Sequence, residues 1–196
     1  MTERGRSADP RAERVRTRLR AAALAIANER PVDGITVGDL VARAEVSRQV
    51  FYRHFRDRDD AVATAFSHVF AAATSTGHRD ARTHILDLFE FAARHPGLCH
   101  NVASSTVHQH VLATYRDALL EPCRQIADQG MAVLHTIAPL PADAVTRFLV
   151  GGLMEVLRSW MEEPRPTDLH ARVRAALATI DALLGCSPAT KGPVDG

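Results

Sequence analysis

The sequence is poor in lysine and cysteine and contains no long apolar segment. Lys191 is the only lysine, so nearly all of the positive charge is arginine. The three cysteines, Cys99, Cys123 and Cys186, form no CxxC pair, which excludes a disulfide framework or zinc module and fits a reducing cytoplasm. No apolar run approaches the roughly 20 residues of a membrane span, and the first residues lack the apolar core of a signal peptide. We therefore predict a cytoplasmic protein with no membrane partner.

The sequence also lacks the short motifs that mark common enzyme sites. GxSxG, GxGxxG, the P-loop and HExxH are all absent. Ser104, Ser105 and His108 stand close together, but no acid at a defined position completes a catalytic arrangement. No segment of useful length alternates apolar and polar residues as a half-buried strand would. We therefore expect an all-α protein that is not an enzyme and needs no cofactor, with a small helical enzyme as the weaker alternative.

The charges are unevenly distributed along the chain. Residues 1–60 hold 13 basic and 10 acidic side chains, whereas residues 61–196 hold 11 and 13. Seven of the arginines fall within the first 20 residues. A basic end joined to a mildly acidic remainder favours a local contact with phosphate groups over general binding to anions. The alternative is that these arginines only solvate the face of a helix.

Residues 36–62 predict two short helices joined by a tight turn, with a third helix just after them. Thr36 and Asp39 have the spacing of a capping box, in which each satisfies a backbone N–H of the other. Ser47 can cap the second helix, which carries Arg48 and Gln49 away from its apolar side. A helix-turn-helix of this kind places its second helix in the DNA major groove. The alternative is a helical corner with a solvated polar face.

The segment ITVGDLVARAEVSRQVFYRHFRDRDDAV, residues 35–62, resembles the DNA-binding core of the TetR family of bacterial transcriptional regulators. The most specific part is VSRQVFYRHF, followed by a basic residue at Arg58. The similarity covers residues 11–66, and beyond them only the helical layout is similar. One position departs from the family, because its turn usually has glycine where this chain has Glu45. Glu45 must either adopt a left-handed conformation at some cost or let the turn adjust.

The resemblance implies an all-α fold with an N-terminal three-helix DNA-binding domain, which contains the helix-turn-helix, and a C-terminal helical domain for ligand binding and dimerisation. Composition and breaks then predict four regions. These are a disordered arm at 1–10, the DNA-binding domain at 11–74, the effector-binding and dimerisation domain at 75–186, and a disordered tail at 187–196.

Helical periodicity and local breaks predict where the helices outside the helix-turn-helix lie. The predicted helices span 11–28, 58–74, 81–94, 97–104, 106–129, 142–162 and 168–184. Gln129-Gly130 is expected to end the fifth of these. Pro122 lies inside the same helix and is expected to kink or split it, because proline removes one backbone hydrogen bond.

Positions that match the family motif predict the contacts with a double-stranded DNA operator. Arg48 and Gln49 are expected to read base edges, and Val50 to touch a thymine methyl group. A second group is expected to hold phosphates, and consists of Thr36, Ser47, Tyr52, His54 and Arg58. The prediction is a sequence-specific transcriptional regulator, acting as a repressor on a palindromic operator.

Two long apolar stripes near the end of the chain predict a dimer interface. The predicted interface consists of Val145, Leu149, Gly152, Leu153, Val156, Trp160, Val173, Leu177 and Ile180. The stripes can pack within one chain, or form a four-helix bundle across a twofold axis. The family layout favours the second arrangement. A homodimer is also what DNA reading needs, because paired recognition helices about 34–36 Å apart reach successive major grooves.

The resemblance also implies a cavity for a small-molecule effector in the middle of the C-terminal half. The predicted lining consists of Phe66, Phe89, Leu98, His108, Leu112, Tyr115 and Phe148. For each of these residues, an ordinary place in the core is the simpler interpretation. An effector would act by preferring the form that does not bind DNA. A regulator that senses no ligand and only silences its site is an open alternative.

Five potential metal ligands stand close together in the sequence, at His95, Cys99, His100, His108 and His110. Pro96-Gly97 interrupts the i, i+4 pair of His95 and Cys99, and two helical residues that are two apart point away from each other. We therefore expect no metal site. A metal- or redox-responsive regulator of the same fold remains the alternative.

Overall fold

Nine α-helices and one short 3-10 turn make up the described part of a computed structural model, which covers residues 10–75, 80–137, 140–163 and 168–185. They are α1 (Pro10–Glu29), a 3-10 turn (Val32–Gly34), α2 (Val37–Ala44), α3 (Arg48–Tyr52), α4 (Arg58–Thr74), α5 (Ala81–Arg94), α6 (Pro96–Ala103), α7 (His108–Ile137), α8 (Ala142–Glu162) and α9 (Leu169–Leu183). No described residue forms a strand, and the all-α prediction is confirmed. The predicted tail at 187–196 and almost all of the predicted arm at 1–10 lie outside the described residues.

Helix α7 corrects the predicted end at Gln129-Gly130, because it runs unbroken from His108 to Ile137. A β-carbon at Gly130 would lie 2.9 Å from the Leu184 side chain, so this glycine allows close packing of Leu184 against α7 and does not end the helix. Pro122 is also buried and does not split α7. The buried residues Leu119, Cys123 and Ile126 continue the helical spacing past the proline, and this packing offsets the lost hydrogen bond.

Contacts divide the chain into two compact units. The first comprises residues 1–72 and 95–111, and the second comprises 73–94 and 112–196. Helix α6 therefore clusters with the N-terminal helices, although its sequence lies inside the predicted effector-binding domain. The predicted domain boundaries stay predictions. None of the described helices has the length and apolar character needed to cross a membrane.

The first unit is built on α1, which packs against both α2 and α6. The buried stripe of α1 consists of Leu19, Ala22, Ala23, Ile26 and Ala27. The facing helices contribute Leu40, Val41 and Ala44 from α2 and Leu98, Cys99 and Val102 from α6. Small alanines on α1 let the neighbouring backbones approach closely, so this unit holds the short helices α2 and α3 on a packed base.

Helix α6 is fastened to the carboxyl end of α1. Asn101 donates hydrogen bonds from Nδ2 to the carbonyls of Ala27 at 2.9 Å and Asn28 at 3.3 Å. A β-carbon at Gly97 would lie only 2.8 Å from the Asn28 carbonyl oxygen. The last carbonyls of a helix have no partner within it. The Asn101 hydrogen bonds therefore satisfy two carbonyls of α1, and together with the close approach at Gly97 they fix the position of α6.

Gly97→Ala is expected to lower the free energy of unfolding by about 1–3 kcal/mol, because the added methyl group meets backbone and not a flexible side chain. Urea denaturation followed by circular dichroism measures the change. Gly34→Ala is the matched control, since nothing lies within 4 Å of a β-carbon there. Equal stability of the two variants would show that α6 is not held closely against α1.

The second unit is built on α9, which packs against α5 and α8. The carboxyl-terminal end of α9 is tied to α5 by a bidentate ion pair. Arg82 Nε donates to both carboxylate oxygens of Asp181, at 2.8 and 3.0 Å, and Arg82 Nη2 donates to the same carboxylate. Both side chains are at most a quarter exposed. This geometry fixes α5 and α9 in one register.

Candidate nucleic-acid interface

Helix α2 begins with the capping box that the sequence predicts. Thr36 Oγ1 accepts from the Asp39 N–H at 3.1 Å, and the Thr36 N–H donates to the Asp39 carboxylate at 2.8 Å. The hydrogen bonds from Thr36 hold the pKa of Asp39 below its usual range, and Arg30, 2.8 Å away, adds to the effect. The first turn of α2 is therefore fixed by its own side chains.

The turn after α2 contains a left-handed residue that is not glycine. Glu45 has φ 51° and ψ 50°, so the first of the two expected outcomes for this position is the observed one. Arg18 of α1 donates from Nη2 to the Ala44 carbonyl and, at 3.1 Å, to the Glu45 carbonyl. These bonds satisfy carbonyl groups at the end of α2 and hold the turn in place despite its conformational cost.

Glu45→Gly is expected to raise the free energy of unfolding by about 0.5–1 kcal/mol, because glycine adopts this conformation without a steric penalty. Little is lost with the carboxylate, which lies 3.5 Å from Arg18 and is 86% exposed. Chemical denaturation compares Glu45→Gly with Glu45→Ala, which removes the same carboxylate but keeps the strain. If both variants have the same stability, the left-handed conformation costs nothing here.

Helix α3 has one side anchored in the core and the opposite side exposed to solvent. Phe51 is fully buried and contacts Phe55 with ring centroids 5.8 Å apart. Ser47 caps the helix by accepting the Val50 N–H at 3.2 Å. With Phe51 in the core, α3 turns its polar residues outward. Arg48, Gln49 and Tyr52 are exposed, Tyr52 to 59%.

The remaining residues predicted to contact DNA differ in solvent exposure. Thr36 and Ser47 are exposed, whereas Val50, His54 and Arg58 are partly buried. Arg58 is engaged within the protein. It donates from Nη1 to the carbonyls of Asp33 at 2.9 Å and Ile35 at 3.2 Å, and from Nε to Asp59 at 2.6 Å. Its phosphate contact stays a prediction, and in this structure Arg58 ties α4 to the segment before α2.

Two basic residues beside α3 were not assigned by the sequence analysis. Arg53 is exposed directly after the helix, and the Arg56 side chain is 85% exposed, with its Nε 3.8 Å from Asp60. The signal was present in the sequence, because arginines at both positions follow the recognition helix.

The predicted effector residues fall in both units and stay predictions. Phe66, Leu98 and His108 belong to the first unit. In the second unit, Phe89 and Tyr115 are fully buried with ring centroids 6.1 Å apart. Leu112 lines a cavity of about 460 Å³ between α7 and α8, whereas Phe148 lines a different groove and is 74% exposed. The second unit therefore does not gather its predicted residues around one cavity.

The cavity of Leu112 has an apolar floor and a charged rim. Its lining consists of Leu112, Arg116, Leu120, Arg147, Val150, Gly151, Met154, Glu155 and Arg158. Arg147 pairs with Asp143 at 2.6 Å, and Arg158 pairs with Glu155 at 2.6 Å and Glu162 at 2.8 Å. This combination suits a molecule with an apolar body and a polar end.

The described residues offer little support for metal or thiol chemistry. Within them, no group of three or more His, Cys, Asp or Glu side chains is placed to hold a metal ion. Burial raises the pKa of the Cys99 and Cys123 thiols to about 12. Thiols of this kind stay protonated at neutral pH and react slowly with oxidants. Cys186 lies outside the described residues.

Most residues of the predicted dimer interface are already buried within one chain. Six are buried there, namely Val145, Leu149, Leu153, Trp160, Val173 and Leu177. Val156 and Ile180 are partly buried, and only Gly152 is exposed. The interface stays a prediction, and these six side chains contribute in any case to the core of the second unit.

A different apolar face is open on the second unit. Phe148, Leu183 and Leu140 are 74%, 63% and 48% exposed. They surround a groove of about 430 Å³, whose lining is Leu134, Leu140, Ala144, Val145, Phe148, Leu149, Ile180, Leu183 and Leu184. Every lining residue is apolar. We call Phe148, Leu183 and Leu140 the exposed apolar face. The predicted interface included neither Leu140 nor Leu183.

Comparisons with known proteins agree with this geometry. Residues 19–63 match the family described as bacterial regulatory proteins, tetR family. A TetR transcriptional regulator from Streptococcus agalactiae 2603V is similar in structure, with 13% identity, a TM-score of 0.63, and coverage of 87% of this chain and 95% of that chain. The fatty acid degradation regulator FadR from Bacillus halodurans shows 17% identity, a TM-score of 0.62, and coverage of 91% and 96%. No curated protein matches the sequence.

A capped α2, a tight turn and an outward-facing polar α3 in an all-α chain define a DNA-binding transcriptional regulator of the helix-turn-helix class. Residues 19–63 match the tetR family of bacterial regulatory proteins, and the chain as a whole is similar in fold to TetR regulators. The resemblance in residues 35–62 is confirmed, and so is the prediction of a regulator in place of an enzyme.

Proposed function

We propose that this protein acts in the bacterial cytoplasm as a homodimeric repressor that binds a palindromic operator and is released by a small molecule. The observation that carries the proposal is the orientation of α3. Phe51 is fully buried beneath it, while Arg48, Gln49 and Tyr52 face outward. A helix anchored on one side and polar on the other can enter a major groove without disturbing the core.

Each exposed side chain of α3 has a role that suits its chemistry. Arg48 can donate two hydrogen bonds to a guanine edge, and Gln49 can pair with an adenine edge. Val50, which is partly buried, can contact a thymine methyl group. Thr36, Ser47, Tyr52, His54 and Arg58 are the proposed phosphate contacts. Ser47 accepts the Val50 N–H and keeps its hydroxyl proton to donate to a phosphate.

The homodimer is proposed to form through the exposed apolar face and the adjoining part of α8. Monomeric proteins seldom leave large apolar side chains grouped in the open unless a partner covers them. Gly151 and Gly152 are exposed, and nothing lies within 4 Å of a β-carbon at either position. A second backbone can therefore approach α8 closely there. The proposed contact residues are therefore those of the exposed apolar face and the two glycines. The six buried residues of the predicted interface pack behind them.

The effector is proposed to be a small amphipathic molecule. The support is the cavity between α7 and α8, which combines the apolar Leu112, Val150 and Met154 with the exposed Arg116 at its edge. An apolar body on this floor and an anionic end near the arginines would match the lining. Release from DNA requires that the effector bind the form unable to hold the operator more tightly.

We also propose residues 11–74 as the DNA-binding domain and 75–186 as the effector-binding and dimerisation domain. Helix α6 connects the two roles, because it belongs by sequence to the second domain and by contacts to the first unit. Its bonds to the Ala27 and Asn28 carbonyls would carry a displacement of α6 directly to α1.

Selection of bound duplexes from a random pool, at one fixed salt concentration, tests the proposed function. The salt must be fixed because phosphate contacts make affinity depend strongly on it. The expected result is a palindromic sequence whose half-sites lie one helical turn apart. Recovery of an unenriched pool would contradict a sequence-specific regulator. A chelator that changes affinity for the selected duplex would favour a metal-responsive regulator instead.

A further inference from the structure

Gly38 stands where a glycine is unfavourable for the helix that contains it. It is the second residue of α2, and glycine is among the weakest helix formers because it loses the most backbone freedom on folding. Its φ is not in the left-handed region, so the backbone itself does not require glycine. What glycine does offer here is the space that its missing side chain leaves.

That space is occupied by the side chain of Arg48. A β-carbon at Gly38 would lie 3.3 Å from Arg48 Nη2 and 3.3 Å from Thr36 Oγ1. Both distances are shorter than most contacts that a β-carbon makes with another heavy atom. The guanidinium group of α3 thus lies directly against the first turn of α2, beside the hydroxyl of Thr36.

No polar group of the described residues fixes this guanidinium. Arg48 has neither a hydrogen bond nor an ion pair within the described part of the chain. Its closeness to Gly38 is therefore a packing contact and not a polar one. An arginine that reads guanine must present two N–H groups in a fixed plane. Restricting the side chain before binding reduces the entropy lost in the complex.

We propose that Gly38 is a positioning residue for operator recognition. The absence of a side chain at Gly38 provides the space in which Arg48 lies against α2, oriented for its base pair. This inference rests on the proposed function, since Arg48 is assigned there to base reading. Gly38 itself touches no base in this account and acts through Arg48.

The test compares Gly38→Ala with Gly34→Ala, whose added methyl group has nothing within 4 Å. Binding to the selected operator, and to versions altered at single base pairs, is measured by fluorescence anisotropy. Gly38→Ala is expected to weaken operator binding about tenfold and to reduce preference at the base pair that Arg48 reads. Its melting temperature is expected to stay equal to the wild type or to rise, because alanine favours the helix.

A double-variant measurement separates positioning from a direct clash with DNA. In an Arg48→Ala background, adding Gly38→Ala is expected to change affinity less than twofold. Magnetic resonance of the Arg48 Nε–Hε group in the free protein provides a readout without DNA. Its signal is expected to move in Gly38→Ala and to stay in place in Gly34→Ala.

The outcomes distinguish this inference from the proposed function. A wild-type chain that prefers some duplex sequences, together with a Gly38→Ala variant of unchanged affinity and preference, overturns the positioning role alone. An equal loss of affinity with and without Arg48 also overturns it, since the methyl group would then act on DNA or on the fold. A wild-type chain with no sequence preference overturns the proposed function and the role of Gly38 with it.

Discussion

Phe148→Glu is expected to separate the dimer and to weaken operator binding by more than about 100-fold. Phe148 is 74% exposed, so the variant should fold, because exposed substitutions seldom change stability by more than about 0.5 kcal/mol. In the proposed dimer the same position is covered, and an unpaired carboxylate there would be buried without a partner. The five-residue α3 then acts alone, and the gain from linking two half-sites, about 10²–10⁴-fold, is lost.

Sedimentation velocity measures the oligomeric state, and anisotropy measures operator affinity. Leu120→Glu is the matched control, because Leu120 is a 38% exposed apolar residue that lines the cavity between α7 and α8 and not the groove beside Phe148. It is expected to leave both the dimer and operator binding intact. A Phe148→Glu protein that sediments and binds as the wild type does would show that the exposed apolar face is not the interface.

Arg48→Ala is expected to cost about 1–3 kcal/mol of operator binding and to remove preference at one base pair in each half-site. The guanidinium of Arg48 is exposed and has no hydrogen bond among the described residues, so its loss should not affect the fold. Titration against the operator and its single-base variants measures both effects.

Tyr52→Phe is the comparison for Arg48→Ala, since the exposed hydroxyl of Tyr52 is assigned to phosphate. Removing a phosphate contact should weaken binding to all duplexes about equally. The assignment of bases to Arg48 fails if Arg48→Ala keeps the preference of the wild type, or if both variants change affinity in the same uniform way.

The sequence predicted most accurately those features whose cause is local. Thr36 and Asp39 form the expected capping box, and Ser47 caps α3 as expected. The bounds of α4, α5 and α8 agree with the predicted spans at 58–74, 81–94 and 142–162. Caps, prolines and turns act over a few residues, so the sequence shows them directly.

Features that depend on distant parts of the chain could not be predicted. Gly130 was predicted to end a helix, because the sequence alone does not show that Leu184 packs against it. The side chains of Arg18 and Arg58 reach carbonyl groups far away in the sequence, and no local pattern predicts these contacts. The same applies to the face of α8. Phe148 has the spacing of the buried stripe, and periodicity does not show whether its partner is the same chain or another.

Binding of two chains to one operator is tested by comparing the selected palindrome with a duplex that contains only one half-site. Titration with a labelled duplex gives the affinity, and sedimentation of the complex gives the number of chains bound. We expect two chains on the palindrome and binding to the half-site that is weaker by more than about 100-fold. One chain bound to each duplex with equal affinity would contradict this expectation.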